Sequence, residues 1–243
     1  MRALVGWDKR PAQTSELGAA LIVAVVVIAL LSGLGLALLL TLGLEPRASA
    51  NQRDGAAALY AADAALELAV LDLDRSGDWN AVLAGTIRST RTDGDPSGAR
   101  QLPHGETIDL STLTGHLTCG RPGGCSDGQR AQSSVDRPWG ANNPRWAPFL
   151  YGHPAALGLS HLTADYIVVW VGDDGAEEDG DPTVDGGAAS GAGRRILRLR
   201  ASAWGPNRAR RSLEAAIVRR CEPDPATCEI GSRVHSWRSL HAK

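Results

Sequence analysis

Hydrophobic and polar positions are spread very unevenly along this chain. From Ala19 to Leu44 the sequence reads AALIVAVVVIALLSGLGLALLLTLGL, without a charge, and its strongest polar groups are the hydroxyls of Ser32 and Thr41. As a helix this run is about 39 Å long at ~1.5 Å per residue, enough to cross a hydrocarbon core of about 30 Å. A secretory signal carries a shorter apolar core, about 7–15 residues, followed soon by a small-residue cleavage site. Ala48-Ser49-Ala50 resembles such a site, so signal cleavage stands as the alternative to a membrane span. Gly33, Gly35 and Gly43 weaken the helix, and Pro46 predicts a break where the span can bend or partly melt.

Beyond that break a different period takes over. Leu59, Ala62, Leu66, Val70 and Leu73 recur at three- and four-residue steps, one face of an amphipathic helix, while Asp63, Glu67, Asp72 and Asp74 lie largely away from it. Such a face packs on a core. From 76 to 160 the periodicity is weak, with frequent Gly, Pro, Ser and Asn. Regularity returns at Tyr166-Ile-Val-Val-Trp-Val171, a β-branched run that reads as a buried strand. Arg195 to Trp204 alternates, with Leu197, Leu199, Ala201 and Ala203 on one face and Arg198 and Arg200 on the other. Gly205-Pro206-Asn207 makes a turn, and Arg210 to Arg219 returns with Leu213, Ala215 and Ile217 on one face. RRSLEAAIVRR alone reads equally as a helix, but its place after the turn favours a hairpin. The expectation is an α+β fold, an antiparallel β-sheet with one side against the long N-terminal helix.

Charge narrows the function classes. The chain has 243 residues, with 25 Lys and Arg against 27 Asp and Glu, for a formal net charge of -2. Nucleic-acid affinity is dominated by clustered positive charge, so no nucleic-acid partner is indicated. Arg2, Lys9 and Arg10 precede the apolar run and Arg47 and Arg53 follow it, a bias of one residue toward a cytoplasmic N-terminus. Cys119 and Cys125 bracket RPGG, and Cys221 and Cys228 bracket EPDPAT. Two close pairs around Pro-containing loops point to two local disulfides and an oxidising compartment. Zinc is the rival, although its ligand pairs usually sit two to four residues apart and both spacings here are longer.

Candidate chemistry is sparse. Between the first two strands, Asp173, Asp174, Glu177, Glu178, Asp179, Asp181 and Asp185 face no basic residue until Arg194. Such density repels itself unless solvated, screened or neutralised. One reading is a flexible acidic surface loop; the sharper one is calcium, which takes six to eight hard oxygens, although the spacing is not that of an EF-hand. Trp79, Trp139 and Trp146 suit either partner or sugar contacts or plain burial. His153, His161 and Asp165 offer metal-ligand chemistry with nothing in the sequence to bring them together. No nucleophile motif, phosphate loop or acid pair appears, so the expectation is a protein without enzymatic activity.

Leu17-Gly18-Ala19-Ala20-Leu21-Ile22-Val23, then Asn51-Gln52-Arg53-Asp54 and Leu59-Tyr60-Ala61-Ala62-Asp63-Ala64-Ala65-Leu66, resemble the N-terminal region of PilX-type minor pilins. The resemblance implies a leader, residues 1–18, cut by prepilin peptidase after Gly18 to leave an N-methylated Ala19. It implies a membrane and filament-core helix over 19–45, an amphipathic helix over 46–75, and an extracytoplasmic β-rich domain over 76–243. Other pilin subunits would bind the N-terminal helix, and the protein would wait in the inner membrane before joining a cell-surface filament. Major pilins carry Glu at the fifth mature position, where this chain has Val23. That departure favours an accessory, priming or tip role. Two other readings share these features: a bitopic envelope protein that keeps its leader, with an acidic calcium-binding ectodomain, and an exported adhesive domain that uses its Trp residues.

Overall fold

The computed structural model describes residues 14–177, 180–186, 195–219 and 232–240. Helix α1 spans Thr14–Ser76. The expected break at Pro46 is absent, since helical backbone is assigned through that residue. Proline removes only one donor from the ladder, and the leucine-rich run from Leu36 to Leu42 before it favours helix. The chain nevertheless divides into two units, Met1–Ala50 and Asn51–Lys243.

In the second unit, α1 buries Ala58, Ala61, Ala62, Ala65, Leu66, Ala69, Val70 and Leu73. Small alanines let the helix backbone approach its neighbours, and Leu66, Val70 and Leu73 supply volume. Helix α2 (Trp79–Leu83) follows, capped by Asp78, whose side chain accepts from the Ala81 amide. Strands β1 (Ala99–Gln101) and β2 (Thr107–Asp109) form a small antiparallel ladder. Asp109 then caps α3 (Leu110–Cys119), and Gly120 ends it in the left-handed region at φ 70°. One further turn, α4 (Asp127–Arg130), closes on a Ser126–Gln129 capping box.

The main sheet is antiparallel throughout, with spatial order β3 (Ala147–Gly152), β4 (Tyr166–Asp173), β5 (Ile196–Trp204), β6 (Arg210–Arg219) and β7 (Ser232–Leu240). All of β4 is buried, and its side chains alternate between two cores. Ile167, Val169 and Val171 join Leu199, Ala201, Leu213 and Ala215 against the apolar face of α1. Tyr166, Val168 and Trp170 join Leu102, Ile108, Leu110 and Trp204 beneath the long connection and α3. A strand covered on both faces reads as a continuous apolar run, as Tyr166 to Val171 does. The predicted hairpin is present, with Leu197 opposite Ile217 and Ala201 opposite Leu213.

The two sheet edges differ. Along β3, residues 89–93 supply a further run of backbone bonds: Ser89 N–H to Phe149 O, Tyr151 N–H to Arg91 O and Asp93 N–H to Tyr151 O. Strand β7 pairs with β6 on its inner side, from Arg219–Ser232 to Ser212–Leu240. Among the described residues, no segment pairs with its outer side.

Candidate functional site

Gly18 to Leu39 form an uncharged, apolar stretch of α1, and none of it is buried. Leu21, Ile22, Val25, Leu30, Leu34 and Leu39 are all exposed. A core helix hides such a surface, so this one is suited to lipid or to other apolar helices. Gly18 and Ala19 lie in α1 and are exposed, as is Val23. At Val23 the chain therefore presents an alkyl group where a carboxylate would offer an ion-pair partner.

Asp54 does work that the sequence did not announce. It is buried, and its carboxylate accepts from Nδ2 of Asn207 at 2.6 Å. Asn207 sits in the turn between β5 and β6 at φ 55°, a left-handed conformation that Asn tolerates better than most residues. One hydrogen bond thus ties the hairpin turn to the helix just past Ala50. Farther along α1, Asp72 accepts from Arg91 Nη1 at 2.7 Å and from Ser89 Oγ at 2.5 Å. This holds the 89–93 segment where it can line β3. The two carboxylates dock the sheet's connections onto the helix.

The acidic connection between β4 and β5 is built into the fold where it is described. Oxygen atoms of Asp173, Glu177 and Asp185 all lie within 4.8 Å of one another, with Asp173 and Glu177 buried. Asp185 Oδ1 also accepts from the Arg195 amide at 2.6 Å, and the Asp185 amide donates to Asn80 Oδ1 at 2.8 Å. Asp174 and Asp181 turn to local work. Asp174 accepts from the Ala176 amide, and Asp181 accepts from the Thr183 hydroxyl and amide at 2.7 and 3.0 Å. The Thr183 hydroxyl, then its amide, hold the Asp181 carboxyl below its ordinary pKa. Gly175 leaves room for the Trp139 ring, which an added Cβ would meet at 2.6 Å, and the Arg198 guanidinium lies 4.6 Å from that ring. Glu178 and Asp179 lie outside the described residues. Three converging acids do not by themselves identify a ligand, and we assign no cation to them.

Cys119 and Cys125 are joined in a disulfide. The loop folds back on α3 at Gly115, where a Cβ would overlap the Gly123 carbonyl and amide. That close approach explains a glycine inside a helix. Cys221 and Cys228 lie outside the described residues. His153, His161 and Asp165 do not form the metal constellation imagined from their residue types. His153 Nδ1 lies 2.7 Å from the Asp165 carbonyl, the Asp165 carboxylate is 2.8 Å from His104 Nδ1, and His161 is exposed. Nothing in the sequence points to His104, which sits 61 residues from Asp165 in a turn without periodicity. Trp79 and Trp146 are buried, and Trp79 is covered by the Arg219 guanidinium at 4.3 Å. Burial, not an exposed sugar platform, is their role in the fold.

Residues 18–67 match the family model described as PilX N-terminal. No curated protein and no solved structure matches the chain. Over the matched residues the chain is similar to PilX-type, type IV pilin-like proteins, and its apolar N-terminal helix and antiparallel sheets form an α+β arrangement consistent with a pilin-like fold. The matched segment covers the exposed apolar helix, Asp54 and the first turns that pack on the sheet.

Proposed function

We propose that this chain is a minor subunit of a type IV pilus or related filament, in an accessory, priming or tip position. The PilX-type match over an uncharged, fully exposed apolar helix carries the reading. In it, residues 1–18 are a leader removed by prepilin peptidase, and Ala19 becomes the N-methylated first residue. The helix holds the protein in the inner membrane until assembly, with the sheet on the extracytoplasmic side, and then packs among the helices of other pilin subunits. The disulfide at Cys119–Cys125 supports the oxidising side of that membrane. Val23 supports a scarce subunit, because it has no carboxylate to pair with a neighbour's terminal amine.

Intact mass of the chain extracted from membranes of cells with an active prepilin peptidase tests this. The expected product starts at Ala19 and carries one added methyl group. A stable full-length chain would instead support a bitopic envelope protein, and a start near Asn51 would support a cleaved signal.

A further inference from the structure

We propose that Arg53 of α1 and Arg208 and Arg211 of the β5–β6 turn form a docking surface for anionic phospholipid headgroups. The inference rests on the membrane-anchored part of the reading above, and not on leader cleavage or entry into a filament.

The fold gathers these three arginines. Asp54 accepts from Asn207 Nδ2 at 2.6 Å, which sets the turn against α1 beside Arg53. Gly55 is buried, and a Cβ added there would lie 2.6 Å from Arg211 Nη2, so the missing side chain gives the Arg211 guanidinium its seat on the helix. Arg211 Nη1 also donates to the Arg210 carbonyl at 2.9 Å. Arg208 follows Asn207 at φ 59°, a left-handed conformation that glycine adopts at less cost. All three arginines are exposed, Arg53 with 81% of its side chain. The neighbouring acids are engaged. Asp54 is buried on Asn207, with Arg53 Nε 3.9 Å from its other oxygen. Asp165 pairs with His104, and Glu106, which shares a cleft with Arg208, acts on Arg210. Among the described residues, neither Arg208 nor Arg211 forms an ion pair.

Charge along this unit identifies the partner. Strand β5 ends at the basic turn, while its other end, Ile196, follows the acidic connection. There the Asp185 amide donates to Asn80 Oδ1 and Arg219 Nη2 donates to the Gly77 carbonyl, so the acidic connection sits at the Ser76 end of α1. Asp74, Asp78 and Asp185 act together on Arg219 at that end. An anionic surface therefore attracts the turn and repels the opposite end of the unit. The chain brings such a surface within reach, because Arg53 follows Leu44, the last residue of the uncharged run, by nine residues. That is at most about 30 Å in any conformation, and between them Glu45 offsets Arg47. Guanidinium groups pair with phosphate through two parallel hydrogen bonds. The arginines are spread over an exposed surface, which suits an array of headgroups better than one free anion.

The test uses the full chain reconstituted in nanodiscs of phosphatidylcholine alone, or of phosphatidylcholine mixed with phosphatidylglycerol. Hydrogen–deuterium exchange is read over residues 205–211. Exchange there should be slower by about fivefold or more in the phosphatidylglycerol discs, and high salt should remove the difference. Inorganic phosphate added to the phosphatidylcholine discs should not reproduce it. Arg53→Gln, Arg208→Gln and Arg211→Gln together should abolish the difference, whereas Arg75→Gln, exposed at the opposite end, should leave it intact. Arg208→Gln alone, outside the Gly55 and Asp54 contacts, should reduce the difference without changing the melting temperature. The proposal is overturned if the chain inserts in both discs and the segment exchanges alike, if the triple variant keeps the full difference, or if free phosphate slows exchange equally. A chain that enters neither bilayer would overturn the anchored reading and this proposal with it.

Discussion

At the scale of single residues, the groups that organise this fold are buried carboxylates with long-range partners. Asp54 reaches Asn207 across 153 positions of sequence and ties the β5–β6 turn to the helix. Replacing Asp54 with Ala strands the Asn207 amide and releases a turn held at positive φ. The expected loss is about 1–2 kcal/mol, read as a lower midpoint in denaturant melts; an unchanged midpoint would remove Asp54 from this role. Tyr166 gives a pH-dependent counterpart. Its hydroxyl donates to Asp93 Oδ1 at 2.8 Å inside the second core. Burial first, and the Asp93 carboxylate second, hold its pKa well above that of a free tyrosine. The unfolded chain releases this proton near pH ~10 while the folded chain keeps it. Tyr166 therefore contributes its full stabilisation below that pH and loses it as the pH rises through the folded value. Stability between about pH 9 and 11 should fall more steeply in the parent than in Tyr166→Phe. Parallel slopes would show that this proton is not linked to folding.

Elements differ in how well their chemistry shows in the sequence. The Cys119–Cys125 bridge closes a short loop, so by the chain-entropy account it constrains the unfolded chain by about 2 kcal/mol. The Cys119→Ser, Cys125→Ser double variant should lose about that much, and protease should cut first within Arg121–Gly124. An unchanged cleavage pattern would mean that the packing of this loop on Gly115 alone holds it. This element was legible because two cysteines around a Pro-Gly turn leave few alternatives. Strands β4, β5 and β6 were legible for another reason: burial on two faces writes a continuous apolar run, and burial on one face writes alternation. Strand β3 was not, since Pro148 is its second residue and a register shift between Pro148 and Leu150 disrupts its period. Strand β7 hides as well, because an edge with Ser and Arg at most positions carries little hydrophobic signal. Helix α3, LSTLTGHLTC, is rich in Thr and interrupted by Gly115, and only its Asp109 cap and terminal Gly120 mark it. The acidic connection reads from sequence as one cluster, yet Asp174 and Asp181 serve backbone amides while three others converge. That sorting depends on tertiary placement and has no sequence signature.

For the whole molecule, the decisive contrast is where apolar side chains are hidden. Every member of both buried cores lies after Asn51, from Ala58 to Ile217 in one and from Leu102 to Trp204 in the other. The stretch from Gly18 to Leu39 contributes to neither, and its leucines and valines are exposed. Each such side chain left in water forfeits about 1.5–3 kcal/mol relative to burial, a penalty that repeats along the helix. The first unit therefore needs an apolar environment, whereas the second contains what a compact domain requires for itself. A chain beginning at Asn51 should be soluble without detergent. It should melt cooperatively and show mixed α and β circular dichroism, because Asp54, Asp72 and the buried alanine face remain intact. Leu66→Ala in this shortened chain should lower its stability by about 2–5 kcal/mol, as a large buried side chain at the helix–sheet contact is removed. The full-length chain without detergent should instead aggregate through its exposed helix. Sedimentation and thermal melts of the two forms side by side decide the matter. Aggregation or a non-cooperative melt of the shortened chain would mean that the sheet depends on residues before Asn51, and a full-length monomer in plain buffer would mean that the apolar helix finds cover within its own chain.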